Sequence, residues 1–277
     1  MDREAIVHPS DYAADKAFRL DGRTAVVTGG GSGMGRAISL TLAVAGANVV
    51  IGDINEDAGA ETVEMIHGCD GRAAFVRADV CAPNDLQRLT QAAVDNFGAL
   101  QMMCNVGGGP TDTIELLDVT AQQLDRAIDG HVKSVLYGCQ ACVPHMQRSG
   151  GGAILNMAST AVDMPAATSG LYHVVKTGVV ALTRVLAAEL GPSAIRVNAI
   201  GPGVTLTNFS RRHFSDADGV IDETRREGWI QQMSDLVPLR TVGSAQDQAW
   251  LALYLLSDTS RFVTGQLIRA NGGWSRP

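Results

Sequence analysis

Short apolar runs alternate with longer stretches of helical periodicity along nearly the whole chain. The runs at 24–28, 48–51, 73–77, 100–104, 154–157, 195–200 and 267–269 predict strands. They are too short for helices, and their apolar character on both faces suits a sheet covered on both sides. Between them, apolar residues recur at three- and four-residue intervals over 36–45, 58–65, 84–97, 170–190 and 245–256. A further helical stretch runs from a Thr120 cap to Arg148. Strands alternating with helices predict an α/β architecture: a doubly wound parallel sheet of about seven strands with helices on both faces. No Pro/Ser-rich linker interrupts residues 18–277, which read as a single domain behind a mixed, polar arm at 1–17. Residues 204–238 show no regular pattern and read as a long irregular insertion, suited to a lid over the strand ends.

The first strand runs into Gly29-Gly-Gly-Ser32-Gly33-Met34-Gly35, a helix follows, and the second strand ends at Asp53, 18 residues after Gly35. Glycines let the backbone turn tightly and approach a pyrophosphate at a helix N-terminus, and a carboxylate at that distance can bind a ribose diol. The same residues could instead be a flexible Gly/Ser loop with Asp53 capping the next helix. Gly29, Asp53, Asp79, Asn105, Ser159 and Gly201 each follow a predicted strand. In an open parallel sheet they converge on the edge where ligands bind.

Ser159 lies in a small, polar loop after the fifth strand, and Tyr172 and Lys176 fall at i and i+4 of the next helix. That spacing puts both on one face. A phenol with a pKa of about 10 is a poor base near neutrality, and an ammonium group beside it favours the phenolate. A serine hydroxyl across the cleft could hold a substrate oxygen. The pattern Tyr-x-x-x-Lys taken alone is more often that of an exposed helical pair.

Composition narrows the setting. The chain of 277 residues carries a net charge of −7 with a pI near 5.3, which argues against nucleic acid or an anionic membrane as partner. No apolar run approaches the roughly 18 residues of a membrane span. The N-terminal residues lack a basic start followed by an apolar run, so a signal peptide is not expected and the cytoplasm is the default. The five cysteines, Cys69, Cys81, Cys104, Cys139 and Cys142, fit reduced thiols. Cys139 and Cys142 fall inside a helical run and read as buried apolar residues rather than a redox pair; no second ligand pair for a zinc site is found, and no metal is expected.

The chain resembles the short-chain dehydrogenases/reductases, in the single-domain subgroup, over roughly residues 20–274. Thr28-Gly29-x-x-x-Gly33-x-Gly35 fits that family's cofactor turn. Ser159 stands 13 residues before Tyr172, and Tyr172-x-x-x-Lys176 fits the catalytic pair. Arg196-Val-Asn-Ala-Ile200-x-Pro202-Gly203 fits the stretch after the sixth strand, and Thr207 its cofactor-side threonine. The resemblance implies a Rossmann-type fold, NAD as cofactor and interconversion of a secondary alcohol and a ketone. It implies that Tyr172 is the general acid/base, that Ser159 bonds the reacting oxygen, and that Lys176 lowers the Tyr172 pKa and holds the nicotinamide ribose. The cofactor would meet Gly29, Ser32, Gly33, Met34, Gly35, Asp53, Ile54, Asp79, Val80, Asn105, Gly107, Tyr172, Lys176, Pro202, Gly203, Thr205 and Thr207. Asp53, with no positive charge from Ile54 or Asn55 beside it, would favour NAD over NADP by repelling a 2′-phosphate.

Two positions depart from the family pattern. Cys104-Asn105-Val106-Gly107 stands where Asn-Asn-Ala-Gly is usual, which keeps Asn105 and Gly107 in place. His131 stands where an asparagine usually holds a water on the lysine. A neutral imidazole both donates and accepts, so His131 could take over a proton relay and would add a pH dependence near 6.5. The helix 170–190 is apolar around most of its circumference, which predicts a homo-oligomer; the resemblance implies a homotetramer. In the insertion, Phe209, Phe214, Trp229, Met233 and Leu236 suit a hydrophobic or alicyclic alcohol, while Arg211, Arg212 and His213 could serve an anionic substrate or face water. The rival reading is a non-catalytic NAD-binding sensor on the same fold, which could dispense with Ser159, Tyr172 or Lys176.

Overall fold

The computed structural model describes residues 14–216 and 219–275. Residues 1–13 of the expected arm lie outside them, and its last four residues form a one-turn helix, α1 (Ala14–Ala17). Seven strands form one parallel sheet: β1 (Thr24–Thr28), β2 (Asn48–Asp53), β3 (Arg72–Arg77), β4 (Met102–Asn105), β5 (Gly152–Met157), β6 (Ile195–Ile200) and a short last strand, β9 (Leu267–Ile268). Their order is β3-β2-β1-β4-β5-β6-β9. The chain direction across the sheet reverses between β1 and β4, and this switch point opens a crevice at the strand ends.

The all-buried strands β1 and β4 explain the continuous apolar runs. One face of the sheet is covered by α2 (Gly33–Val44) and α9 (Ala245–Leu256), where Ile38 and Leu42 meet Leu253 and Leu256. The other is covered by α4 (Pro83–Phe97), α6 (Ser134–Arg148) and α7 (Gly170–Leu190), with Leu86, Leu89, Cys139, Cys142 and Val179 in its core. Cys139 and Cys142 are therefore core residues, as their helical surroundings suggested.

Two expectations need correction. The helix expected from 120 to 148 is not continuous. It comprises α5 (Ala121–Ile128), a π-helical turn over Asp129–Lys133, and α6. A π turn inserts one residue into the 3.6-residue repeat, and Gly130 and the Ser134 hydroxyl, which donates to the Gly130 carbonyl at 2.8 Å, accommodate it. The second correction concerns 204–238, which is not irregular throughout. Strand β7 (Thr205–Leu206) pairs with β8 (Gly243–Ser244), and α8 (Glu223–Leu236) fills much of the interval, capped by the Asp222 carboxylate accepting from the Arg225 N–H at 3.0 Å. Trp229, Met233 and Leu236 fall at helical spacing within it, a signal masked by the polar residues around them.

Candidate active site

The glycine turn is built by contacts that no side chain could survive. A Cβ on Gly35 would lie 2.0 Å from the Gly29 carbonyl oxygen, and one on Gly29, whose φ is +66°, would lie 2.9 Å from the Gly107 Cα. The Thr28 hydroxyl fixes this approach by accepting from the Val106 and Gly107 N–H groups, each at 3.1 Å, and so joins the ends of β1 and β4. Asp53 is held at the end of β2. Its Oδ2 accepts from the Gly31 N–H at 2.9 Å and its Oδ1 from the Asn55 N–H at 3.0 Å, and each oxygen keeps a further lone pair. The cradle and its carboxylate thus fit a dinucleotide with a ribose diol.

Two connected hollows occupy the strand ends and share Gly29, Asp53 and Gly107–Gly109. The smaller, about 530 Å³, is lined by Ile54, Asp79, Val80 and Gln123 among others. The larger, about 950 Å³, brings together Ser32, Gly33, Met34, Gly35, His131, Ser159, Tyr172, Lys176, Pro202, Gly203, Thr205 and Thr207. Of the residues expected at the cofactor, Asn105 alone is turned away. It is 3% exposed, and its Nδ2 donates to the Asn156 Oδ1 at 2.9 Å. Asn156 in turn donates to the Thr183 hydroxyl at 3.0 Å. Asn105 therefore ties β4 to β5 and α7 instead of touching a ligand, because its side chain alternates to the face opposite the cleft.

The reacting end lies where β5 and α7 meet. The Ser159 hydroxyl accepts from the Ala161 N–H at 3.1 Å, which fixes it at the mouth of the cavity. The Lys176 ammonium is buried; it donates to the Met157 carbonyl at 2.9 Å and stands 5.6 Å from the Tyr172 ring centroid. Burial lowers its pKa to about 8. Tyr172 keeps some surface on the cavity, yet protein surrounds it closely enough that burial raises the phenol above its ordinary range. The groups that pull it back are the Ser159 hydroxyl and the Arg212 guanidinium. The Lys176 ammonium, which donates to the Met157 carbonyl, is not among the groups that pull it back, so the expected lowering by Lys176 does not offset burial here.

His131 sits in the π turn, 5% exposed, with its ring edge-on to Tyr172 at a centroid distance of 5.9 Å. Neither ring nitrogen has a hydrogen-bond partner among the described residues. Burial, assisted by the Lys176 charge, lowers its pKa to about 3. The Gly109 backbone pulls the other way but makes no hydrogen bond of adequate geometry. The expected titration near 6.5 is therefore corrected: the imidazole is neutral throughout the physiological range.

The lid supplies aromatic surface. Phe209 stacks on Tyr172 at 6.4 Å, and Trp229 stacks on His213 at 5.4 Å and packs against Phe214 at 5.6 Å. Arg212 lies 4.0 Å over Phe209, and Arg211 faces solvent. Trp274 and Met164 also line the larger cavity and were not anticipated. Met164 follows Ser159 by five residues in an unpatterned loop, and Trp274 follows the final Gly-Gly pair, where no periodicity marks it. No cluster of His, Cys, Asp and Glu able to hold a metal occurs among the described residues, and none of their helices is long and apolar enough to cross a membrane.

A glycine cradle, an acid at the end of β2 and a Ser/Tyr/Lys set across a switch point define an oxidoreductase of alcohol and carbonyl groups. A family model described as enoyl-(acyl carrier protein) reductase matches residues 29–275. The chain is 35% identical over 258 residues to 7alpha-hydroxysteroid dehydrogenase of Escherichia coli K12, covering 92% of this chain and 95% of that one. It is 32% identical over 259 residues to cyclohexanol dehydrogenase of Acinetobacter sp. strain SE19, covering 93% and 96%. A solved structure of 7 alpha-hydroxysteroid dehydrogenase, complexed with NADH and 7-oxo glycochenodeoxycholic acid, superposes with a TM-score of 0.85 at 32% identity, covering 95% of this chain and 98% of that one. The chain belongs to the short-chain dehydrogenase/reductase family, and its fold is the Rossmann-type sheet expected of it.

Proposed function

We propose that this enzyme interconverts a ring-bearing secondary alcohol and its ketone with NAD(H), using Tyr172 as the proton-transfer group. The observation carrying this reading is the single cavity of about 950 Å³ in which Ser159, Tyr172 and Lys176 face an aromatic and thioether lining. Phe209, Trp229, Met233, Trp274 and Met164 present broad apolar faces, which suit an alicyclic skeleton better than a short open chain. The named relatives that act on hydroxysteroids and cyclohexanol support the same class. A sensor would not need the complete Ser159–Tyr172–Lys176 set.

When bound, NAD supplies the hydride acceptor for oxidation and, reduced, the donor for the reverse reaction. The chain supplies the rest. Asp53 accepts from ribose hydroxyls, and Gly29, Ser32, Gly33, Met34 and Gly35 let the backbone approach the phosphates. Ile54, Asp79, Val80 and Gly107 line the smaller hollow, and Pro202, Gly203, Thr205 and Thr207 the larger one. Ser159 holds the substrate oxygen, and Tyr172 takes or returns its proton. The Lys176 ammonium lies close enough to favour the phenolate when a proton must leave. His131 passes that proton between Lys176 and solvent through a water, with a neutral ring that accepts at one nitrogen and donates at the other. Positioned acid–base catalysis of this kind contributes about 10²–10⁴-fold.

The enzyme is further proposed to be a cytoplasmic homotetramer. Free thiols suit a reducing compartment. Val174 and Val185 on α7 and Trp250 on α9 expose apolar surface suited to contact with other copies. The deciding experiment offers NAD⁺ with cyclohexanol, a hydroxysteroid and a linear 2-alkanol, read at the reduced-nicotinamide absorbance band. Ring alcohols should be oxidised with the higher kcat/KM; exclusive use of the open-chain alcohol, or no oxidation of any, refutes the reading. Light scattering at micromolar concentration should give four times the chain mass.

A further inference from the structure

The loop carrying Ser159 is tied to the C-terminal end of the sheet by an ion pair unlike the others in the molecule. Arg269 follows β9 directly, and its guanidinium grips the Asp163 carboxylate through two nitrogens, Nη2 to Oδ1 at 2.7 Å and Nε to Oδ2. The side chains are 21% and 11% exposed, and every other ion pair among the described residues has at least one partner more than two-fifths exposed. The Ser275 hydroxyl donates to the same Asp163 Oδ2 at 3.0 Å. A partly buried pair is a poor source of net stability, because desolvation offsets attraction, but a bidentate arginine fork fixes geometry.

What it fixes is the support of Ser159. Gly201, at the end of β6, lies between them: a Cβ there would meet the Arg269 Cγ at 3.4 Å and the Ser159 carbonyl carbon at 3.5 Å. The arginine stem and the serine backbone thus both lie within van der Waals reach of Gly201, and the stem runs on to Asp163, four residues further along the loop. Without the pair, the loop would rest on Thr160, which donates to the Pro202 carbonyl, on His173, whose Nδ1 donates to the Ala161 carbonyl at 2.6 Å, and on Thr168, whose carbonyl accepts from the Ile114 N–H at 2.8 Å. The first two hold the loop near Ser159 and the third holds its end before α7, and none of them ties the stretch at Asp163 to the sheet.

The geometry points to Asp163 and Arg269 as positioning residues that hold the Ser159 hydroxyl at the reacting oxygen. They also join it to the turn carrying Trp274, so that the hydrogen-bonding group and one wall of the substrate cavity share an anchor. This rests on the reading of Ser159 as the partner of the substrate oxygen.

The test places Asp163→Asn and Arg269→Gln in wild-type and Ser159→Ala backgrounds. It measures cyclohexanol oxidation with NAD⁺, NADH dissociation by fluorescence, and amide exchange of residues 158–169. In the wild-type background, kcat should fall roughly 10- to 100-fold, the scale of a small displacement of a catalytic group. NADH affinity should stay within about twofold, since the cofactor cradle is untouched. In the Ser159→Ala background the same substitutions should cause little further loss, and Arg269→Lys, which keeps the charge without the fork, should be intermediate. Exchange should accelerate in 158–169 in both backgrounds. An equal loss in both backgrounds, or none in the wild type, overturns the proposal. If Ser159→Ala alone keeps full activity, the reading of Ser159 fails; if it loses activity while the pair variants do not, only the positioning role fails. Should Arg269→Gln not fold, Arg269→Lys carries the same comparison.

Discussion

The two halves of the cleft are built on opposite principles. On the cofactor side the backbone does the shaping: Gly29 lies against both Gly35 and Gly107, Thr28 pins the approach to Gly107, and both Asp53 oxygens already accept N–H groups. On the reacting side, side chains are held against their own solvation. Lys176 is buried, Tyr172 is raised by burial, and His131 keeps two nitrogens without partners. Binding a constant ligand calls for a rigid surface complete in itself. Moving a proton calls for groups whose charged and neutral forms lie near in energy; desolvation brings Lys176 toward that condition, while it favours the neutral forms of Tyr172 and His131.

The largest effect should come from breaking the backbone side. In Gly35→Ala the new methyl meets the Gly29 carbonyl oxygen at 2.0 Å, and neither strand end can yield, because Gly30 N–H is bonded to the Gly52 carbonyl at 3.2 Å. NADH affinity, followed by fluorescence, should fall roughly 100-fold, or about 3 kcal/mol. Retained affinity would show that the cradle is softer than its contacts imply. Next comes Tyr172→Phe, which leaves the cofactor side intact. Turnover should fall by about 10²–10⁴-fold with NADH affinity preserved. A variant keeping more than about a tenth of the rate would remove Tyr172 from proton transfer. Because burial raises the phenol, the rate of alcohol oxidation should still be rising at the alkaline end of its pH profile.

The same contrast governs what could be read in advance. Backbone shaping leaves marks in sequence: the glycine spacing, the acid after β2 and the helix of Tyr172 and Lys176 lie where periodicity and motif put them, with α7 at Gly170–Leu190. Side-chain and tertiary shaping leaves few. Asn105 sits at the right strand end yet points into the interior, and only the pleat of β4 decides that. The π turn at His131 cannot be seen in a helical pattern that absorbs one extra residue. α8 is hidden because its apolar residues serve the cavity rather than a core, so the helix is polar almost all round. Trp274 reaches the cavity through the closing of the sheet by β9, a contact between distant parts of the chain.

A smaller effect should follow at the outer end of the cofactor side. Asp53→Asn keeps the acceptor oxygen and removes the charge. Like charges in close contact cost several kcal/mol, so the ratio of kcat/KM for NAD over NADP should fall by roughly tenfold or more. The nearby Arg36 will limit the gain, since its guanidinium is occupied by Glu61 and by the Gly31 carbonyl. An unchanged ratio would place the origin of the preference elsewhere in the cradle.

The smallest effect on rate at neutral pH, and the sharpest test of the reacting side, belongs to His131. Its folded pKa of about 3 lies below the roughly 6.5 of an unfolded histidine. Between those values the unfolded chain binds a proton that the folded chain refuses. This residue's contribution is therefore fully present above about pH 6.5 and is lost as the pH falls toward about 3, at no more than about 1.4 kcal/mol per pH unit. His131→Asn abolishes that slope. Urea unfolding at neutral and mildly acid pH should show the variant losing less stability on acidification than the wild type. The pH–rate profiles of the two should show no inflection near 6.5, since the imidazole stays neutral there. His131→Leu, which can hold no water, should lower turnover without changing that profile. An inflection near neutrality that vanishes in His131→Asn would mean the imidazole charges during the reaction. Parallel acid unfolding of wild type and variant would mean that its burial costs nothing.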